Sequence, residues 1–64
     1  MITSDVLNSL NPDDRNAIIR AFYLGMSVME IAHLEHTSES AVNSRLHHAM
    51  HELRAAMRVH GVLH

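Results

Sequence analysis

The side chains best suited to chemistry lie between Ser38 and Arg58. Read at roughly 100° per residue, Ser40, Ser44, His47, His51, Arg54 and Arg58 fall in one stripe. Hydroxyl, imidazole and guanidinium groups in such a row bond to anions and to the edges of bases. They do not assemble into a nucleophile, a base and an acid. So small a helical chain also offers little cavity for a substrate, so no enzymatic activity is expected. His47 and His51 stand four residues apart, a spacing at which two imidazoles can share a zinc ion. His48 and Glu52 lie near, but a structural site wants a third and fourth ligand and none can be named. The blander reading is an exposed histidine-rich face, with no metal and no cofactor. That face has a consequence of its own. Histidines ordinarily titrate near about pH 6.5, so protonation makes the second half of the chain more basic. Binding of that half to a polyanion such as DNA is then expected to strengthen as pH falls from about 8 to about 6.

The element that must carry this stripe is one long helix. Val42, Leu46, Ala49, Met50, Leu53 and Met57 form the opposite, apolar arc. At 1.5 Å rise per residue the helix is about 30 Å long. A shorter helical stretch, Val28 to Leu34, precedes it by a few residues. Helix, tight turn and long helix with a partly basic polar face outline a helix-turn-helix.

Upstream, Thr3 or Ser4 can cap a first helix carrying Val6, Leu7 and Leu10. Asn11-Pro12-Asp13-Asp14 is a strong helix start: an Asn cap, Pro at the first helical position, and two acids favoured by the helix dipole. This second helix runs to about Leu24, where Gly25 stops it. Ser27 with Glu30 three residues on is a capping box. Ser38 caps the long helix, which frays near His60-Gly61; Val62-Leu63-His64 reads as a loose tail. The expected helices are about 4–10, 12–24, 27–34 and 38–59. Their expected core is Ile18, Ile19, Phe22, Ile31, Leu34, Val42, Leu46, Met50 and Leu53. Met26, Met29, Met57, Val59, Val62 and Leu63 are left for an adaptable surface that covers a partner. The fold class is all-α, a small four-helix helix-turn-helix domain with a long C-terminal recognition helix.

The chain of 64 residues makes one domain at most and carries no Cys, hence neither a disulfide nor a thiolate metal site. No apolar run approaches the roughly 20 residues of a membrane span, and no signal peptide is visible, so a cytoplasmic protein is expected. The net charge is −2, split between −3 over residues 1–35 and +1 over residues 36–64, which also hold six of the seven His. A polyanion would be met by the second half. The overall acidity argues against strong nonspecific nucleic-acid binding.

Three stretches taken in order carry a resemblance: Leu10-Asn11-Pro12 with Arg15, Gly25-Met26-Ser27 with Glu30-Ile31-Ala32, and Ser38 with Val42, Ser44-Arg45-Leu46-His47 and Ala49. The chain resembles the C-terminal (region 4) domain of bacterial RNA polymerase sigma factors, with the extracytoplasmic-function group as the nearest match, over about residues 5–58. The resemblance implies a helix-turn-helix that reads the −35 promoter element and docks on the flap of the polymerase beta subunit. It also implies capture by an anti-sigma factor. Nothing in the chain could melt a promoter, so it reads as a module cut from a longer protein.

On that footing Glu39, Ser40, Asn43, Ser44 and His47 are the candidates to face base edges. Asn can bond bidentately to adenine, Glu can accept from cytosine N4, and Ser suits either. Arg45 is the first candidate for phosphate, with Arg54 and Arg58 behind it; Arg15 and Arg20 read as structural or partner-facing. The bland alternatives are a solvated face and pairing of Arg54 with an acidic neighbour. The chain departs from the family where Gly usually stands at His36, an apolar residue at Thr37, Lys at Asn43 and Arg at His48. A left-handed backbone at His36 would cost about 1 kcal/mol for a residue other than Gly. Asn43 and His48 are DNA-binding candidates that stand as neutral residues where the family has cations, so weak binding by the domain alone is expected. The other reading is a sigma-like domain acting mainly as a protein-interaction module, bound by an anti-sigma factor or a transcriptional activator.

Overall fold

The computed structural model describes residues 4–61. Thr3 as an alternative first cap and the Val62-Leu63-His64 tail lie outside the described residues. Every element among the described residues is helical: α1 (Ser4–Asn8), α2 (Pro12–Ile18) running on into a π-helical turn (Ile19–Tyr23), α3 (Val28–Leu34) and α4 (Glu39–Val59). The chain is thus a small all-α helix-turn-helix domain.

The helix starts follow the local signals. Asn11 Oδ1 accepts the Asp14 N–H at 2.9 Å, with Pro12 at the head of α2. Ser27 and Glu30 close the capping box from both sides, at 2.9 and 3.1 Å. Ser38 Oγ accepts the Ala41 N–H at 3.0 Å and opens α4. Each side chain satisfies a backbone donor that the first helical turn leaves unpaired. The stops are equally local. Gly25, at φ 66°, ends the second helical stretch. At the end of α3, Thr37 N–H donates to Ala32 O and His36 N–H to His33 O, the paired bonds of a Schellman turn. That turn forces His36 to φ 54°, the one non-glycine residue with positive φ among those described.

The core lies in two linked clusters. The first joins Val6 and Leu10 to Ala17 and Ile18 of α2 and to Ala49 and Leu53 of α4. The second joins Ile31 and Ala32 of α3 to Val42 at the start of α4. Leu46 packs against both. The long helix is therefore the common wall, with α1 and α2 on its C-terminal part and α3 on its N-terminal turn.

Two expected core residues lie outside. Phe22 is 61% exposed and Leu34 51%. Phe22 sits in the π-helical turn, where Leu24 N–H donates to Ile19 O across five residues. That widened turn abandons the 3.6-residue repeat on which the expectation rested, and Ala21 rather than Phe22 joins the second cluster. Leu34 lies on the flank of α3: Val28, Ile31 and Ala32 define the inward arc, and Leu34 falls outside it. Ile19, Leu46 and Met50 are half-buried, and Leu10, Ala17, Ala32 and Ala49 fill the interior instead.

Candidate nucleic-acid interface

The α3–turn–α4 unit delivers the N-terminal turns of α4 to the surface. Four residues, Glu35 to Ser38, separate the two helices. Val42 is buried against Ile31 and Ala32, which fixes which way α4 faces. With Val42 inward, Ser40, Asn43, Ser44 and His47 are all exposed, as is Glu39 at the tip. The stripe continues through His51, Arg54 and Arg58, also exposed. None of these eight side chains makes an ion pair or hydrogen bond with the described residues. Arg54 in particular forms no ion pair among the described residues. A shallow hollow beside this stripe is lined by Asn43, Leu46, His47, Met50, His51 and Arg54.

Arg45 and His48 are exposed but lie on the flank of α4 that faces α2, away from the stripe. Arg45 Nη1 is 3.2 Å from Asp13 Oδ2. His48 Nδ1 is 3.0 Å from Asp14 Oδ1, and its Nε2 is 3.6 Å from Glu52 Oε1. Asp14 is fully buried. Its other oxygen accepts from Asn11 Nδ2 at 2.9 Å, so both carboxylate oxygens are bonded. Arg20 pairs with Glu35 at the entrance to the turn.

In the sequence Asp14 stands out only as a charge suited to a helix start. The signal for more was present: Asp14, Ala17 and Ile18 share one helical face, and all three are buried. A carboxylate on an apolar stripe needs a partner, and His48 and Asn11 supply it.

His47 and His51 come without a third ligand; among the described residues no group of three or more His, Asp or Glu is placed to hold a metal ion. Nor is any helix long and apolar enough to cross a membrane. Outside α4, Phe22, Tyr23, Leu24, Met29 and Leu34 are large apolar or aromatic side chains more than half exposed. Met26, Met29, Glu30, His33 and Leu34 line one surface depression among them.

A family model for sigma-70, region 4, matches residues 1–53. The chain belongs to the sigma-70 region 4 family. It is also 36% identical over 62 residues to the ECF RNA polymerase sigma factor SigL of Mycobacterium tuberculosis, in strain Erdman and equally in strains CDC 1551 and H37Rv. The alignment covers 97% of this chain and 35% of SigL. The chain therefore spans about a third of the length of the curated relatives it matches. Region 4 is a DNA-binding domain of transcription initiation factors and not an enzyme.

In this region 4 domain the left-handed residue of the helix-turn-helix is His36, so the strain anticipated there is present in the backbone. His48, expected on the DNA side, is bonded to the buried Asp14.

Proposed function

We propose that this region 4 domain reads the −35 element of promoters through the first turns of α4 and works docked on RNA polymerase, in the cytoplasm. The observation that carries the proposal is the unpaired stripe of Ser40, Asn43, Ser44 and His47 at the exposed start of α4. Buried Val42 fixes its direction. In this reading Asn43 bonds an adenine edge, Glu39 accepts from a cytosine amine, and Ser40 and Ser44 bond either kind of edge. His47 stands at the groove wall. Arg45 and His48, tied to α2, meet the flanking phosphates at most by exchanging their acidic partners. Arg54 and Arg58 extend the cationic stripe. Five Arg, no Lys and an acidic first half make the isolated domain a weak binder, with polymerase supplying the remaining affinity.

A second surface supports a second contact. The exposed Phe22, Tyr23, Leu24, Met29 and Leu34 lie outside α4, at the π-helical turn and on α3. Exposed apolar areas mark protein partners. The beta-subunit flap, an anti-sigma factor or an activator is the partner class assigned to it.

The test is binding of fluorescent duplexes carrying candidate −35 sequences, beside a shuffled duplex, over a salt series. Asn43→Ala is expected to erase the preference for promoter sequence and leave shuffled-duplex affinity unchanged. Equal binding of both duplexes by the parent chain and by polymerase loaded with it would favour the interaction module over the promoter reader.

A further inference from the structure

Asp13, Asn16, Arg20, Glu35 and Arg45 line one polar hollow where α2, the turn and α4 meet. Two acids and two bases share it. Arg20 occupies Glu35, which leaves Asp13 to Arg45. Of the four charged side chains Asp13 is the most exposed, at 73%, and Arg45 follows at 46%. Asp13 is not spent on the cap of α2: Asn11 bonds the Asp14 N–H, and the Asp14 carboxylate takes Asn11 and His48. The Asp13 carboxylate thus has Arg45 as its one ion-pair partner among the described residues.

Arg45 follows Ser44 directly, so its Cα shares a helical turn with the base-reading residues while its guanidinium is turned to Asp13 on the α2 flank. A phosphate oxygen beside that turn and the Asp13 carboxylate are rival anions for one guanidinium. We infer that Asp13 is a positioning residue for DNA binding: it holds Arg45 against α2 and withholds a phosphate contact from DNA of any sequence. The inference rests on the proposed DNA role of α4 and extends it to a residue on another helix. Because the pair is exposed it is weak enough to exchange on docking, so Asp13 tempers affinity without abolishing it.

The experiment is a two-by-two set on the 64-residue chain, Asp13→Asn and Arg45→Ala singly and together, with a duplex of random sequence and a salt series. Random sequence removes any need for base reading. Asp13→Asn is expected to bind about two- to fivefold tighter. Its log-affinity against log-salt slope is expected to steepen by up to about 0.9, the share of one phosphate contact. In the Arg45→Ala background both effects are expected to vanish. Asp5→Asn, which removes the same charge from α1 outside the hollow, serves as the charge control. Asp13→Ser, which keeps a residue suited to a helix start, replaces Asp13→Asn if circular dichroism shows lost helix. A gain matched by Asp5→Asn, a gain that survives Arg45→Ala, or no gain at all overturns the inference. If the gain depends on Arg45 but promoter duplexes are not preferred over random ones, the inference stands and the promoter reading falls. Binding to no duplex overturns both.

Discussion

Replacing Asp14 with Ala tests how the reading helix is held in place. Asp14 is fully buried and carries two side-chain bonds, from Asn11 Nδ2 at 2.9 Å and with His48 Nδ1 at 3.0 Å. Hydrogen bonds to a charged group contribute about 1.5–3 kcal/mol each. Two corrections bring the total down. Removing Asp14 also removes the penalty of burying its charge. Asn11 and His48 are exposed, so each finds water once its partner is gone. The favourable placement of an acid in the first turn adds about 0.3–1 kcal/mol that is lost with it. The net expectation is a loss of about 2–3 kcal/mol. A domain of this size holds only about 3–10 kcal/mol in all, so the loss is a large share of the total. Urea unfolding followed by circular dichroism reads it directly. Asp14→Asn keeps an oxygen for His48 but sets two amide donors against each other at Asn11, so an intermediate loss is expected. A double-mutant cycle with His48→Ala is expected to show coupling of about 0.5–1.5 kcal/mol, limited by the exposure of the histidine. If Asp14→Ala is within about 0.5 kcal/mol of the parent and additive with His48→Ala, the reasoning that this contact anchors α4 on α2 is wrong.

Three further outcomes follow from named contacts. His36→Gly relieves a left-handed backbone strain and should raise stability by about 0.5–1 kcal/mol, or several degrees in Tm; a destabilised variant would show that the imidazole contributes more than the strain removes. Glu30 titrates below its usual 4.5 because the Ser27 backbone N–H, and then the Ser27 hydroxyl, bond its charged form. A lowered folded value adds stability above the unfolded one and loses it as pH falls through the folded one. The Tm difference between parent and Glu30→Gln should therefore be present at neutral pH and shrink in acid below 4.5; a constant difference would refute the charged capping box. Phe22→Ser, at a site 61% exposed, should change stability by less than about 0.5 kcal/mol while weakening association with core polymerase. A collapse of the fold would place Phe22 in the core after all.

What the sequence made legible was local. Asn11, Ser27, Ser38 and Gly25 act within three or four residues of themselves, and each caps or stops a helix as its type dictates. The polar stripe of α4 is periodic over 21 residues, long enough for the phase to be unambiguous. Over α3, seven residues long, the phase was loose enough for Leu34 to be misplaced. The π-helical turn carries no sequence signal that periodicity can catch, and Phe22 was lost with it. Least legible were the contacts between helices. His48 meets Asp14 across 34 positions, and only the packing of α2 on α4 brings them together. The same packing turned Arg45 toward Asp13. The family resemblance had set both on the DNA side; tertiary neighbours gave them acidic partners first.

In the proposed function the wet face of α4 meets promoter DNA. That contact is tested most directly by titrating the isotope-labelled chain with a −35 duplex and following backbone amide and histidine ring resonances. The largest changes are expected at Ser40, Asn43, Ser44 and His47, with Phe22, Leu24 and Met29 unmoved. Changes centred on Phe22, Leu24 and Met29, or a flat response along α4, would contradict the proposed function.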